Sequence, residues 1–291
     1  MTAELKTVRD FLRYAVSAFN RAKLHFGHGA TSALDEAAFI ILEALSLPID
    51  DINPWLDARL TTPEKERLAD LIDARITTRK PAAYLLNKAY VQGVPFYVDE
   101  RVIVPRSFIG EILGADPAFL PAPTDVRAIL DLCTGSGCLA ILAALAYPDA
   151  EVHAADISTG ALEVAARNVA DHGLEDRITL SRGDLFEALG TRTFDLILTN
   201  PPYVGAQAMA ALPQEFRAEP SLALAGGADG LDIVRRIIAE APKRLNPGGG
   251  LLCEVGTGRD ILEAEYPQLD FDWPSSDEGE GEVFWLAREG M

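Results

Sequence analysis

From residue 128 to residue 255 the chain alternates short apolar runs with helix-length stretches, and few folds accommodate that alternation. Residues 128–133, 151–156, 177–181, 194–199 and 250–255 read as strands, with the apolar run 194–199 as a short buried one. Between them, residues 137–147, 158–172 and 231–245 read as helices. Strands separated by helix-length crossovers come back parallel and right-handed, with helices covering both faces. The expectation is an α/β, doubly wound parallel sheet, finished by strands near 269–272 and 283–287. Such sheets bind ligands beyond the C-terminal ends of their strands, near the switch in strand order.

Four successive strand ends carry residues suited to that. The first opens a helix through Asp131-Leu132-Cys133-Thr134-Gly135-Ser136-Gly137. Glycines there let backbone approach a ligand, and the helix start offers free N–H donors. The second strand ends at Asp156, 19 residues beyond Gly137, where an acid typically holds ribose hydroxyls. After the third come Gly183-Asp184-Leu185-Phe186, a further acid with an apolar wall for an adenine ring. The fourth ends in Asn200-Pro201-Pro202-Tyr203. The two prolines stop the strand, because they cannot donate to the ladder and fix φ. The Asn200 side chain and the Pro201 carbonyl offer two acceptors that can grip an NH₂ group, with the Tyr203 ring beside it. Alone, each motif is also an ordinary turn; together, at four successive strand ends, they define a site.

The chain before residue 107 is different. Residues 4–79 carry helical spacing: Val8, Phe11, Leu12, Ala15, Val16 and Phe19 on one helix, then Leu34, Ala37, Ala38, Ile41 and Leu42 inward on the next. A third helix starts with Thr62 as N-cap and Pro63 first inside, and places Leu68, Leu71, Ile72 and Ile76 inward. Residues 89–98 read as an aromatic β-hairpin, 101–104 as a further strand and 108–113 as a short helix. The expected division is a small all-helical domain over 1–88, a hairpin connector over 89–106 and the α/β domain over 107–291. Residues 277–282, charged and broken by glycines, read as a solvated turn.

Charge separates the same parts. Residues 1–106 carry 14 Lys/Arg and 14 Asp/Glu, and residues 107–291 carry 12 and 30, so the whole formal net charge of −18 lies in the second part. An acidic domain repels a phosphate backbone and attracts basic partners. Cys133, Cys138 and Cys253 form no paired spacing, and the four histidines lack zinc-like neighbours, so no metal site is expected. No run reaches a membrane span and the first residues lack a signal-peptide layout, which points to the cytoplasm.

Residues 131–137, Asp156, 183–186 and 200–203 resemble the motif series of class I S-adenosylmethionine-dependent methyltransferases, whose sheet is Rossmann-like. The Asn-Pro-Pro-Tyr tetrapeptide is similar to that of enzymes that methylate glutamine amides or the amines of adenine and cytosine. Residues 219–231, Glu-Pro-Ser-Leu-Ala-Leu-Ala-Gly-Gly-Ala-Asp-Gly-Leu, with the preceding helical domain, the hairpin and Val104-Pro105-Arg106, resemble the protein-glutamine methyltransferases. Ser107 after Arg106, and the stretches 26–29, 35–37 and 83–89, look most like the branch acting on large-subunit ribosomal protein L-three.

The resemblance implies S-adenosyl-L-methionine as cofactor, bound by Asp131, Cys133, Thr134, Gly135, Ser136, Gly137, Asp156, Asp184, Leu185, Phe186 and Asn200. It implies a catalytic tetrapeptide of Asn200, Pro201, Pro202 and Tyr203, and protein-substrate contacts from Arg106 and Glu219. Leu185 departs from a position often aromatic in the release-factor branch, which leaves adenine stacking to Phe186 or another group. The partner expected is a ribosomal protein before or during assembly, with no direct nucleic-acid or membrane binding; the helical domain would recognise it. A release-factor methyltransferase, an rRNA or DNA adenine methyltransferase, and a non-enzymatic S-adenosylmethionine-binding protein are the alternatives.

Overall fold

The computed structural model describes residues 4–115, 117–275 and 281–291. Most of the stretch read as a solvated turn, residues 277–280, lies outside the described residues. The chain begins with four helices: α1 (Val8–Ala22), α2 (Ala33–Ala44), α3 (Thr62–Thr78) and α4 (Ala82–Leu86). Val8, Phe11 and Phe19 of α1, Ile40 and Ile41 of α2, and Leu68 and Ile72 of α3 close one apolar core. Each such side chain, fully buried, contributes roughly 1.5–3 kcal/mol. Within this core Arg75 is also fully buried, its Nε donating to Glu36 Oε2 at 3.0 Å and its Nη2 to the His25 carbonyl at 3.2 Å.

Three details differ from the periodicity. The α3 N-cap is Thr61, one residue earlier than expected, because the Glu64 carboxylate reaches back to the Thr61 N–H at 2.7 Å. Leu34 is 53% exposed, since the inward stripe of α2 runs through Ala33, Ala37, Ile40 and Ile41 instead. The short helix α4 has no counterpart in the sequence reading. It follows Pro81 and ends at Asn87 in left-handed conformation, too short to show a period.

The hairpin forms as expected from β1 (Ala89–Val91) and β2 (Val94–Phe96), turned by Gln92 and Gly93, both at positive φ. Residues 101–104 are not a strand. Val102 and Val104 are buried, but the backbone turns after Asp99, and the Val104 N–H is taken by the Glu219 carboxylate at 2.9 Å rather than by a neighbouring strand. Helix α5 (Phe108–Gly114) comes next.

The rest alternates strand and helix: β3 (Ala128–Leu132), α6 (Cys138–Ala146), β4 (Glu151–Asp156), α7 (Thr159–Asp171), β5 (Ile178–Arg182), β6 (Phe194–Thr199), α8 (Ala206–Ala211), α9 (Asp232–Arg244), β7 (Leu245–Glu254), α10 (Arg259–Glu265) and β8 (Val283–Ala287), of which α8, α10 and the first five residues of β7 were not expected. The six strands lie in the order β5-β4-β3-β6-β7-β8. Five run parallel, whereas β8 pairs antiparallel with β7, Leu252 opposite Trp285, so the sheet is mixed rather than wholly parallel. The strand expected near 269–272 is reduced to an isolated bridge between Asp272 and Trp285. Side chains alternate faces along each strand. Ile129, Leu196, Leu198 and Leu252 join α5 and α6 in one core, while Leu130, Ile197, Leu251 and Cys253 meet α9 in the other. Strand order reverses between β3 and β6, so the switch point lies between Cys133 and Asn200. Among the described residues, no helix is long and apolar enough to cross a membrane.

Candidate functional site

Beyond β3 the chain turns sharply, with Cys133, Gly135 and Gly137 all at positive φ. At Gly137 a glycine is required twice over. Its φ is +80°, and a Cβ would sit 3.1 Å from the Ala165 Cβ of α7. The turn is pinned at both ends. The Thr134 N–H donates to the Ala155 carbonyl at 3.1 Å, and Asn168 Nδ2 donates to the Ser136 carbonyl at 2.8 Å. Asn168 also exchanges two bonds with the backbone of Tyr97, tying the connector to the glycine turn. Beneath it Asp131 is fully buried. Its Oδ2 accepts from Thr134 Oγ1 and from the Ala140 N–H at 3.0 Å, while Oδ1 has no partner among the described residues. Burial pushes this carboxyl up to about 7.

Asp156 ends β4 with its carboxylate facing the turn, Oδ2 accepting from the Gly135 N–H at 2.9 Å and Oδ1 from the Ser158 N–H at 2.8 Å. Burial raises its pKa despite these bonds. A cavity of about 210 Å³ opens here, and Cys133, Gly135, Asp156, Asp184, Leu185, Asn200 and Pro202 all line it. The other expected positions do not. Asp131, Thr134 and Ser136 are buried behind the turn, Gly137 packs on α7, and Pro201 is buried.

Phe186 is the clearest correction. It is 2% exposed, packed in the core with Leu189 and Phe194, with Arg244 over its ring, so it cannot stack on a ligand in the cavity. The left-handed backbone at Leu185 (φ 51°) aims neighbouring side chains apart, leaving Leu185 on the cavity wall. The apolar surface is completed by Ile157, 48% exposed, which sequence reasoning missed although it directly follows Asp156. Also missed were Arg101, Val102 and Ile103 from the connector, Leu222, and Arg236, whose Nη2 holds Asp184 Oδ2 at 2.8 Å.

At the end of β6, Thr199 Oγ1 donates to the Leu132 carbonyl at 2.9 Å, locking the two switch-point strands together. The side-chain amide of Asn200 faces the cavity with no hydrogen-bond partner among the described residues. The backbone beyond it is held rigidly. The Val204 N–H donates to the Leu224 carbonyl and the Gly226 N–H returns to the Val204 carbonyl. A Cβ on Gly230 would fall 2.2 Å from the Tyr203 carbonyl oxygen, and one on Gly226 2.7 Å from that of Pro202. The glycine-rich stretch 226–230 is therefore the cast in which the tetrapeptide sits.

Tyr203 is anchored rather than free. Its hydroxyl donates to Glu254 Oε1 at 2.8 Å, and burial, with that carboxylate, pushes its pKa up. Glu254, at the end of β7, also accepts from Ser107 Oγ at 2.6 Å and the Phe108 N–H at 3.1 Å. Its place at a strand end was the signal that could have found it.

Arg106 and Glu219, expected to meet the substrate, hold each other. Arg106 Nη1 and Nη2 reach the Glu219 oxygens at 2.6 and 2.8 Å, and His28 Nε2 lies 3.6 Å from Oε2. Burial would raise the Glu219 carboxyl, but His28 and Arg106 outweigh it and hold it at about 2. At 4% exposure Glu219 is part of a clasp joining the connector, the helices and the segment after β6.

A doubly wound sheet with a glycine turn, an acid and Asn-Pro-Pro-Tyr on consecutive strand ends is the architecture of a Rossmann-like, S-adenosylmethionine-dependent methyltransferase. Residues 118–229 match the family described as methyltransferase small domain. A methyltransferase from Pyrococcus furiosus superposes with a TM-score of 0.50 at 18% identity, covering 75% of this chain and 98% of that one. The ribosomal protein uL3 glutamine methyltransferase of Bradyrhizobium diazoefficiens is 58% identical over 98% of this chain and 91% of its own. That of Bordetella pertussis is 54% identical over 99% and 97%. The chain belongs to the ribosomal protein uL3 glutamine methyltransferase family. The cavity fits the family's cofactor: positive-φ backbone at Cys133 and Gly135 leaves one wall without bulk, a carboxylate stands beside it, and Leu185 with Ile157 offers an apolar face.

Proposed function

We propose that this protein transfers a methyl group from S-adenosyl-L-methionine to the side-chain amide nitrogen of a glutamine in ribosomal protein uL3. The observation that carries the reading is the unpartnered Asn200 amide on the wall of the cofactor cavity, in a chain 58% identical to a uL3 glutamine methyltransferase. An amide nitrogen is a poor nucleophile, because its lone pair is delocalised into the carbonyl. The cofactor supplies a methyl already activated on a sulfonium, so the protein's task is placement. Asn200 Oδ1 accepts from the substrate NH₂, orienting it and favouring the positive charge that grows on nitrogen during attack. The proton leaves to water afterwards. Tyr203, fixed by Glu254, walls the amide's approach. Asp156 accepts from ribose hydroxyls, exchanging its bond to the Gly135 N–H for a ligand bond. Gly135 and Cys133 admit the cofactor's polar end, and Ile157 with Leu185 hold adenine.

Residues 1–88 serve as the recognition unit and 89–106 as the connector that also closes the cavity through residues 101–103. The enzyme works in the cytoplasm on uL3 before or during assembly. The test is transfer of labelled methyl to purified uL3, to release factor and to rRNA, with the modified residue mapped by mass spectrometry. Label on a uL3 glutamine is expected; label on release factor or rRNA instead would replace the reading.

A further inference from the structure

A second cavity, of about 520 Å³, runs between the helices and the connector. Leu12, Leu34, Phe39 and Leu56 supply its apolar walls, and Val104 and Pro105 of the connector also line it. Three carboxylates, Asp35, Asp50 and Asp51, stand on its lining, and among the described residues no Lys or Arg does. Asp35 is occupied by Thr31 and Ser32, and Asp51 by Asn53. Asp50 has no partner among the described residues. His28 also lines the groove. It is 7% exposed, and neither ring nitrogen has a hydrogen-bond partner among the described residues: Nε2 lies 3.6 Å from Glu219 Oε2, and Nδ1 is unmatched. Burying a polar ring atom without a partner is costly, a cost that a ligand bond would remove. Leu34 is left 53% exposed on a helix whose other apolar residues turn inward.

We propose that this groove docks an extended segment of the protein substrate in which Lys or Arg alternates with aliphatic side chains. The proposal rests on the function proposed above. Leu34 and Leu56 would receive the aliphatic groups, Asp50 and Asp51 the cations, and His28 Nδ1 one polar group of the segment. Val104 ties the groove to the site. The Val104 N–H donates to Glu219 Oε1 at 2.9 Å, and the next residue after Glu219, Pro220, lines the cofactor cavity with Asn200. A segment seated in the groove thus leaves it beside the clasp that separates the two cavities. The acidic lining disfavours a nucleic-acid backbone. It equally disfavours a second copy of this chain, whose formal charge is −18.

The experiment compares wild type with L34K and with the double variant D50K/D51K, using purified uL3 and, separately, the labelled cofactor. Both sites are exposed, and matched thermal melts verify the fold. For each variant KM for uL3 should rise about tenfold, with kcat and cofactor affinity within about twofold of wild type. A photo-crosslinker at position 34 should attach to a Lys/Arg-containing segment of uL3. Unchanged KM in both variants, while wild type methylates uL3, would overturn the groove and leave the function standing. Crosslinks to rRNA or to a second copy would overturn the occupant. Failure of wild type to methylate uL3 would remove the function, and this occupant with it.

Discussion

Asn200 is the only member of its tetrapeptide whose side chain both faces the cavity and is unmatched, so its removal should act on turnover. Asn200→Ala is expected to lower kcat about a hundredfold or more while changing cofactor affinity far less; rate and calorimetric titration measured on the same preparation decide it, and equal turnover would exclude the amide-gripping role. Asp156→Ala should do the opposite first, weakening cofactor binding by about 1.5–3 kcal/mol as the ribose loses a charged acceptor. Unchanged affinity in calorimetry would remove Asp156 from the site. Asp131 makes a separate prediction through pH. Its folded carboxyl is pushed up to about 7, against an ordinary value near 3.8, so between those values the folded state binds more protons than the unfolded one. Stability from this group is therefore present below about pH 4 and lost as pH rises through about 7. Asp131→Asn should flatten the fall in melting temperature across that window, and melting curves parallel to wild type would show that Asp131 does not titrate there. The residues legible in the sequence were those that chemistry requires at strand ends. Leu222 and Arg236 were not, because they reach the cavity only through the folding of segments far apart in the chain, and Ile157, adjacent to Asp156, carries no chemical mark of its own. Phe186 was misjudged because one positive-φ residue before it, Leu185, reverses which side chain faces out.

At the scale of elements, the segment after the tetrapeptide binds the helices to the sheet. Glu215 accepts from Arg79 Nη1 at 2.8 Å and from the His25 N–H, Phe216 packs on His28 with ring centroids 4.2 Å apart, and Glu219 closes on Arg106. Removing the Glu219 charge leaves Arg106 and His28 facing an empty partner, a loss of about 3–5 kcal/mol for a buried pair. Glu219→Gln should thus lower the melting temperature and speed proteolytic cleavage within residues 206–224. Because the folded carboxyl sits at about 2, below its ordinary 4.5, its stabilisation is present above about pH 4.5 and fades as pH falls toward 2. The gap between variant and wild type should narrow over that range; a gap independent of pH would mean the clasp is not electrostatic. The strands β3, β4 and β6 were legible to within a residue, because each is a short run with a largely apolar interior set between helix-length stretches. Residues 101–104 looked the same but take their backbone bond from a side chain 115 positions away, which no local pattern reveals. The antiparallel direction of β8 was equally hidden, since a buried edge strand has the same composition in either direction.

For the whole molecule, charge is the long-range feature. The helical part is neutral, the α/β part carries the entire net charge of −18, and the groove between helices and connector is lined by carboxylates alone among charged groups. A ribosomal protein that binds rRNA presents many cations while free and covers them once assembled. Attraction between the two should therefore speed encounter with the free protein and vanish for the assembled one. The effect lies in association rate, and salt screens it, the Debye length falling from about 30 Å at 0.01 M to about 8 Å at 0.15 M. Methyl transfer at limiting substrate should accordingly be faster on unassembled uL3 than on mature large subunits, and should slow as salt rises, with kcat at saturation little changed. The apolar walls of the groove set a floor to that decline, since burial of Leu34 and Leu56 is not weakened by screening. Transfer measured on both substrates across a salt series separates the contributions: faster modification of mature subunits, or a rate indifferent to salt, would mean that shape alone selects the partner and that the acidity of the α/β part serves something else.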